Sequence, residues 1–345
     1  MKKNIIAMAV AAAVAAPAAA MADTTLYGKI HASYDFWGGD NADSSDYSLS
    51  SNSSRIGIKG QEAISDNLSL VYQWESGVDF GGNGSGIGDT PRNTFVGFTG
   101  NWGTAIAGRH DTPFKKVGRK YDLFGDTVGD ARSITRLRDA GLDDWDRRTN
   151  NTVAYVTPNL GGFQATLAYV SDWDSSLNND NDAYSVSAGY EIAGFMIDAA
   201  YEQHNLDTTG TDSSDAYRVG AGYKMGGIKL VGLYQSNSDL SFVDGADVDM
   251  WGLGGAYSFG KSTVKAQWYQ RDEIDGTTDT DDDMWAIGYD YKMSKQTSLY
   301  AAYASMEAGA NSMNTLVDGG HGESATYNGT GNDSNAFSVG VVHKF

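Results

Sequence analysis

Connections that alternate between very short and very long constrain this chain more than any other feature. Short ones fall at Asp66-Asn67, Asn101-Trp102-Gly103, 158–162, Ala193-Gly194, Gly226-Gly227, Gly260-Lys261 and Met293-Ser294-Lys295. Long polar ones occupy about 37–53, 78–91, 110–147, 171–182, 204–214, 236–246, 271–282 and 306–334. Seven short turns and eight long loops join sixteen segments and leave both ends on the short-turn side. A soluble β-sandwich has no reason to sort its connections in this way. An outer-membrane barrel does, because its turns face the periplasm and its loops face outside.

The segments between the connections repeat with period two. Leu26, Gly28, Ile30, Ala32, Tyr34 and Phe36 share one face of the first, and Tyr27, Lys29, His31, Ser33 and Asp35 share the other. Stretches at 184–192, 195–201, 216–224, 228–234, 250–259, 263–269, 285–291 and 337–345 behave alike. Successive strand side chains point to opposite faces, so each stretch has one apolar face and one polar or small face. No 3.6-residue pattern lasts more than two turns. The expected fold is all-β: a transmembrane antiparallel β-barrel of 16 strands with short periplasmic turns and long extracellular loops. Four Pro, 43 Gly and 20 Tyr suit such a chain. Several strands carry aromatics six residues apart, as in Tyr184 and Tyr190, or Trp251 and Tyr257. Six residues on a tilted strand span about 15 Å of height, less than the apolar band of roughly 25 Å. The rings then either mark interfacial girdles or merely fill a lipid-facing strip.

The first 22 residues read as a cleaved export signal. Lys2 and Lys3 precede an apolar run from Ile5 to Ala16, and Ala20-Met21-Ala22 supplies the small residues of a cleavage site. Residues 23–345 then form a single barrel domain. The whole chain carries a formal charge of −19, and losing two Lys makes it about −21. Such an acidic chain is a poor partner for nucleic acid. Without Cys there is neither thiol chemistry nor a Cys-type metal site. The five His, at 31, 110, 204, 321 and 343, have no metal-ligand spacing and no nucleophile-elbow serine. The acidic loops contain no calcium-loop pattern. No cofactor, metal or enzymatic activity is expected.

Ordered pieces of the chain resemble the Gram-negative general porin family along essentially the whole of 23–345. They are Thr25-Leu26-Tyr27-Gly28-Lys29-Ile30, Ser54-Arg55-Ile56-Gly57-Ile58-Lys59-Gly60, Tyr72-Gln73-Trp74-Glu75, Thr94-Phe95-Val96-Gly97-Phe98, Gly103 to Arg109, and Arg148 to Tyr155. The chain ends with Phe337, Val339, Val341, His343 and Phe345 at every second position, which resembles the signal read by the barrel-assembly machinery. The resemblance implies a general diffusion porin in the outer membrane of a Gram-negative bacterium. It would be a homotrimer among lipid and lipopolysaccharide, passing small hydrophilic solutes and ions through a water-filled pore. It also implies that loop 3 folds into the lumen and faces a basic wall.

Lys29, Arg55, Arg109 and Arg148 match that wall. A further wall Arg of the fourth strand falls at Phe95; Arg92 is nearby but has the opposite strand parity. Lys29 and Arg55 are independently placed on the wet face, because a Lys or Arg facing lipid at mid-bilayer would cost about 2–4 kcal/mol. Loop 3 contributes Lys115, Lys116, Arg119, Lys120, Asp122 and Asp126, and Phe124-Gly125-Asp126 resembles its tip. The loop is more basic than the family pattern. With the negative total, the expectation is a mild cation preference. The alternatives are a substrate-specific channel and a surface adhesin or receptor that uses the long acidic loops.

Overall fold

The computed structural model describes residues 24–345 except 41–46, 82–85, 138–143, 174–180, 207–212, 317–320, 324 and 326. The expected export signal therefore lies outside the described residues. Sixteen antiparallel strands form one closed sheet. They are β1 Thr25–Gly39, β2 Tyr47–Ser51 continued by Arg55–Ser65, β3 Leu68–Val78, β4 Ile87–Pro91 continued by Thr94–Gly100, and β5 Gly103–Asp111. Then come β6 Arg148–Val156, β7 Phe163–Ser171, β8 Asn181–Ile192, β9 Phe195–Leu206, β10 Ser213–Met225 and β11 Ile228–Ser238. The last are β12 Val248–Phe259, β13 Ser262–Arg271, β14 Asp282–Lys292, β15 Thr297–Ala308 and β16 Ser334–Lys344. Each strand pairs with the next, and β1 pairs with β16 from Lys29↔Lys344 to Gly39↔Ser334. Closure leaves no sheet edge unpaired.

All seven expected short turns are present. At Ala193 (φ 50°) and Gly194 (φ 89°) both central residues are left-handed, as a two-residue hairpin turn with the strands' own twist requires. The expected long loops are shortened, because strand pairing continues past the membrane-height segments. Trp37 and Gly38 still pair with β16, and Tyr47–Ser51 pairs with β1.

Burial alternates as the sequence pattern predicts. On β1, Leu26, Ile30, Tyr34 and Phe36 are exposed, while Lys29, His31, Ser33 and Asp35 are buried on the inner face. The outer face exposes Leu253 (62%), Ile287 (56%) and Ile197 (53%), among many others. A belt of exposed aliphatic and aromatic side chains around a whole barrel is stable only against lipid.

Two rows of rings bound that belt. Near the loops, ring contacts cross neighbouring strands at Tyr169–Tyr184, Tyr217–Tyr234, Trp251–Trp268 and Trp285–Tyr303. Near the turns, Phe195–Tyr223 and Trp102–Tyr155 do the same. Of the six-residue pairs, Tyr217 and Tyr223 have one ring in each row.

The seam between first and last strands closes on the terminal residue. Gly28 and Phe345 exchange backbone hydrogen bonds of 2.9 and 3.1 Å, and a Cβ at Gly28 would overlap the Phe345 ring. His343 stacks on Phe345 and its Nδ1 lies 2.9 Å from Thr297 Oγ1, an interfacial packing role.

Candidate functional site

The segment between β5 and β6 contains a nine-residue helix, α1 (Pro113–Tyr121), and a single helical turn, α2 (Arg132–Thr135). Thr112 caps α1 by accepting from Lys115 N at 3.2 Å, and Pro113 occupies the first turn, where a missing N–H costs nothing. Phe114, Val117 and Tyr121 recur at helical spacing and are buried; Arg119 and Lys120 complement the negative end of the helix dipole. With Phe124, Val128, Ile134 and Trp145 they form one buried apolar cluster with Ala216, Val231, Met250, Tyr269, Met284 and Ala286 of the strands. Burying each large side chain stabilises the segment by about 1.5–3 kcal/mol. Wall glycines make the room: a Cβ at Gly220 would overlap the Tyr121 ring, and one at Gly288 would lie 2.8 Å from Phe124.

This packing brings charged residues around a cavity of about 790 Å³. Three clusters can be told apart by their charge balance. At the tip of the segment, Lys29, Arg119 and Arg132 meet Asp122, Asp126 and Asp130. Lys29 Nζ lies 2.8 Å from Asp126, Arg119 lies 2.9 Å from both Asp126 and Asp130, and Arg132 lies 2.8 Å from Asp130. Three cations and three carboxylates cancel. Burial alone would push the Asp126 carboxyl up, but Arg119, Lys29 and Arg132 hold it well below the usual range. Asp122 goes the other way, pushed up to about 6 by burial and by Asp130 against the pull of Arg119. Its Oδ1 accepts from Phe124 N and Gln267 Nε2, and its Oδ2 makes no hydrogen bond.

The second cluster is Arg55 and Arg92 on either side of Glu75, at 3.4 and 2.7 Å, with Tyr27 donating to Glu75 at 2.9 Å. The third is Lys115 and Arg148 on either side of Asp111, at 3.0 and 3.1 Å. Each pairs two cations with one carboxylate and keeps one positive charge in excess. Burial lowers the Lys115 pKa, and the Asp111 carboxylate opposes that shift.

Arg92 overturns the expectation of a missing fourth-strand cation. β4 is interrupted between Pro91 and Thr94, and the ladder to β3 shifts register between Ser76 and Val78. The break cancels the parity that would point Arg92 outward, and Arg92 N donates to Glu75 O at 3.0 Å. Phe95 instead packs edge-on against His110.

Arg109 borders the cavity, half-exposed, donating to Pro91 O at 3.1 Å and to Asn150 at 2.8 Å. Lys116 is exposed at the cavity and lies 3.5 Å from His110 Nε2. Lys120 turns to the opposite wall, 2.6 Å from Glu191 and 2.7 Å from Asp198, and neither it nor Asp122 borders the cavity. Glu75, Asp111, Arg132, Arg136 and Arg147 belong to the site but were not singled out from sequence. For Glu75 the available signal was its strand parity, opposite to Trp74. Among the described residues no group of three or more His, Asp or Glu is placed to hold a metal ion.

Among the described residues the cavity lining carries ten Lys and Arg against six Asp and Glu, the reverse of the sign of the whole chain. Such an arrangement can hold and pass small anions in water.

A family model described as Gram-negative porin matches residues 7–311. Among curated relatives, outer membrane porin protein 32 of Delftia acidovorans is 34% identical over 197 residues, 55% of each chain. Major outer membrane protein P.IB of Neisseria gonorrhoeae is 32% identical over 205 residues, 57% of this chain and 55% of that one. The chain thus spans a little over half the length of the curated relatives it matches. An anion-selective porin from Comamonas acidovorans superposes with a TM-score of 0.79 at 25% identity, over 93% of this chain and 99% of that one. A Salmonella typhi OmpF complex superposes with a TM-score of 0.69 at 19% identity, over 93% of this chain and 97% of that one.

Proposed function

The chain belongs to the Gram-negative porin family, and from that premise we propose that it is an outer-membrane diffusion channel favouring small hydrophilic anions. The carrying observation is the excess of basic over acidic side chains among the described residues that line the cavity. A charge ring acts on ions where the passage is narrow and wet. In this reading residues 112–137 and 144–147 lie in the lumen and narrow it. Arg55 with Arg92, Arg148 with Lys115, and also Arg109 and Lys116, form the basic side of the passage. Lys29 and Asp126 neutralise each other at the tip. The negative total sits elsewhere, largely in the external loops, so it does not set the preference. That replaces the expectation of mild cation selectivity. The likeness to an anion-selective porin, at 25% identity over nearly all of that chain, supports the same sign.

The functional unit is a homotrimer in which each barrel has its own pore, inserted by the barrel-assembly machinery through Phe337, Val339, Val341, His343 and Phe345. Cleavage after Ala22 starts the mature chain at Asp23, which its intact mass would report. The test of the diffusion reading is reconstitution. Liposomes containing the purified protein should swell in small neutral sugars at rates that fall smoothly with solute size, and planar bilayers should show near-ohmic openings in threes. Saturable block by one solute class would contradict a general channel, and absence of conductance would contradict a channel altogether.

A further inference from the structure

Arg218 is fully buried in the middle of β10, between the outward-facing Tyr217 and Val219. Its guanidinium gathers three separate points of segment 112–147. Nη1 donates to Phe114 O at 3.1 Å and to Asp146 Oδ1 at 3.0 Å, and Nη2 donates to Thr135 O at 3.4 Å. Nε donates to Gln235 Oε1 at 2.8 Å on the next strand, and Gln235 Nε2 donates to the same Thr135 O at 3.0 Å. The guanidinium carbon lies 4.1 Å from the centre of the Phe114 ring. Gly118 leaves the space it fills, since a Cβ there would overlap Arg218 Nη1. The start, middle and end of the segment thus converge on one side chain of the wall.

Arg218 does not border the cavity. Its charge is matched by Asp146 at 0% and 1% side-chain exposure, so permeating ions do not meet it. A nine-residue helix is marginal by itself and needs tertiary anchoring. Five planar N–H donors on a rigid fork suit this task, whereas a lysine offers a compact point charge. We propose that Arg218 is the positioning residue of the constriction: it locks residues 112–137 and 144–147 against the wall and so fixes the width and charge of the passage. This rests on reading those residues as the constriction.

The test uses the full-length protein in bilayers, with Val117→Cys as a reporter. The chain has no cysteine, and Val117, on the buried face of the anchored helix α1, is 4% exposed, so the introduced thiol is both unique and protected while the anchor holds. In R218M, losing a buried partner should raise modification of the reporter thiol by roughly a hundredfold. Open-channel noise and unitary conductance should rise together, and the anion-to-cation permeability ratio should drift toward one. R218K keeps the charge but not the fork and should show the same loosening to a smaller degree. A shifted permeability ratio in R218M with the reporter thiol still protected, and R218K behaving as wild type, would mean that Arg218 acts by charge alone and would overturn the proposal. If R218M does not assemble, D146N leaves the barrel strands untouched and must expose the reporter thiol; protection there overturns the proposal equally. Thiol exposure and noise do not depend on the sign of selectivity, so a cation-preferring wild type would refute the functional reading and leave this test standing.

Discussion

Replacing Arg92 with Gln removes one of the two guanidiniums that flank Glu75 and lowers the charge of the cavity lining by one. An anion passing about 6 Å from that charge in a water-filled passage gains about 0.7 kcal/mol, reduced by screening to about 0.4 kcal/mol at 0.1 M salt. The same field disfavours a cation by the same amount. The permeability ratio should therefore fall about fourfold at 0.1 M salt and about sevenfold at 0.01 M, where screening is weak. The assay is the zero-current potential across a KCl gradient, measured at both ionic strengths on R92Q and on R92Q/E75Q. The double variant removes one charge of each sign and should return most of the way to wild type. An unchanged ratio in R92Q, or a double variant as far from wild type as the single one, would refute the assignment of selectivity to the wall charge.

Three further outcomes test separate parts of the structure. The Asp122 carboxyl is pushed up to about 6 by burial and Asp130, so its ionised form destabilises the tip above that pH; the penalty fades as pH falls from about 6 toward 4. Open-channel noise in wild type should then decrease between pH 7 and pH 5, and D122N should be flat over that range; a D122N channel with the same pH dependence contradicts this. G220V places a side chain where the Tyr121 ring lies, an overpacking worth about 1–3 kcal/mol, and should lower the unfolding temperature and alter unitary conductance; wild-type values for both would count against the described packing. G28V should displace the Phe345 ring from the seam and lower the yield of heat-resistant barrel on a gel, which an undiminished folded fraction would exclude.

The barrel was legible because its signals are local. Period-two alternation and connection length are each read within about ten residues, and both are consequences of a sheet that faces lipid on one side. Lys29 and Arg55 followed from the same parity argument. The rest depended on irregularity or on distance. Arg92 was misjudged because a break of two residues resets strand parity, and nothing in Pro91-Arg92-Asn93-Thr94 gives the register of the neighbouring ladder. The helix after Thr112-Pro113 carried a visible cap but spans only nine residues, too few for its periodicity to stand out. Lys120 and Asp122 sit one turn from cavity residues yet face other walls, a matter of helix phase. Arg218 offered one clue, a charge at inward parity between Tyr217 and Val219, but its partners between β5 and β6 lie 72 to 104 residues away. The net charge is no guide to selectivity for a related reason, since it says nothing about which residues border the passage.

The most direct test is the zero-current potential of the wild-type protein in a planar bilayer separating concentrated from dilute KCl. The basic lining predicts that chloride carries most of the current, giving the potential the sign of an anion-selective pore and a magnitude that shrinks as salt is raised. A potential of the opposite sign would show that the acidic loops govern permeation, and would contradict the account.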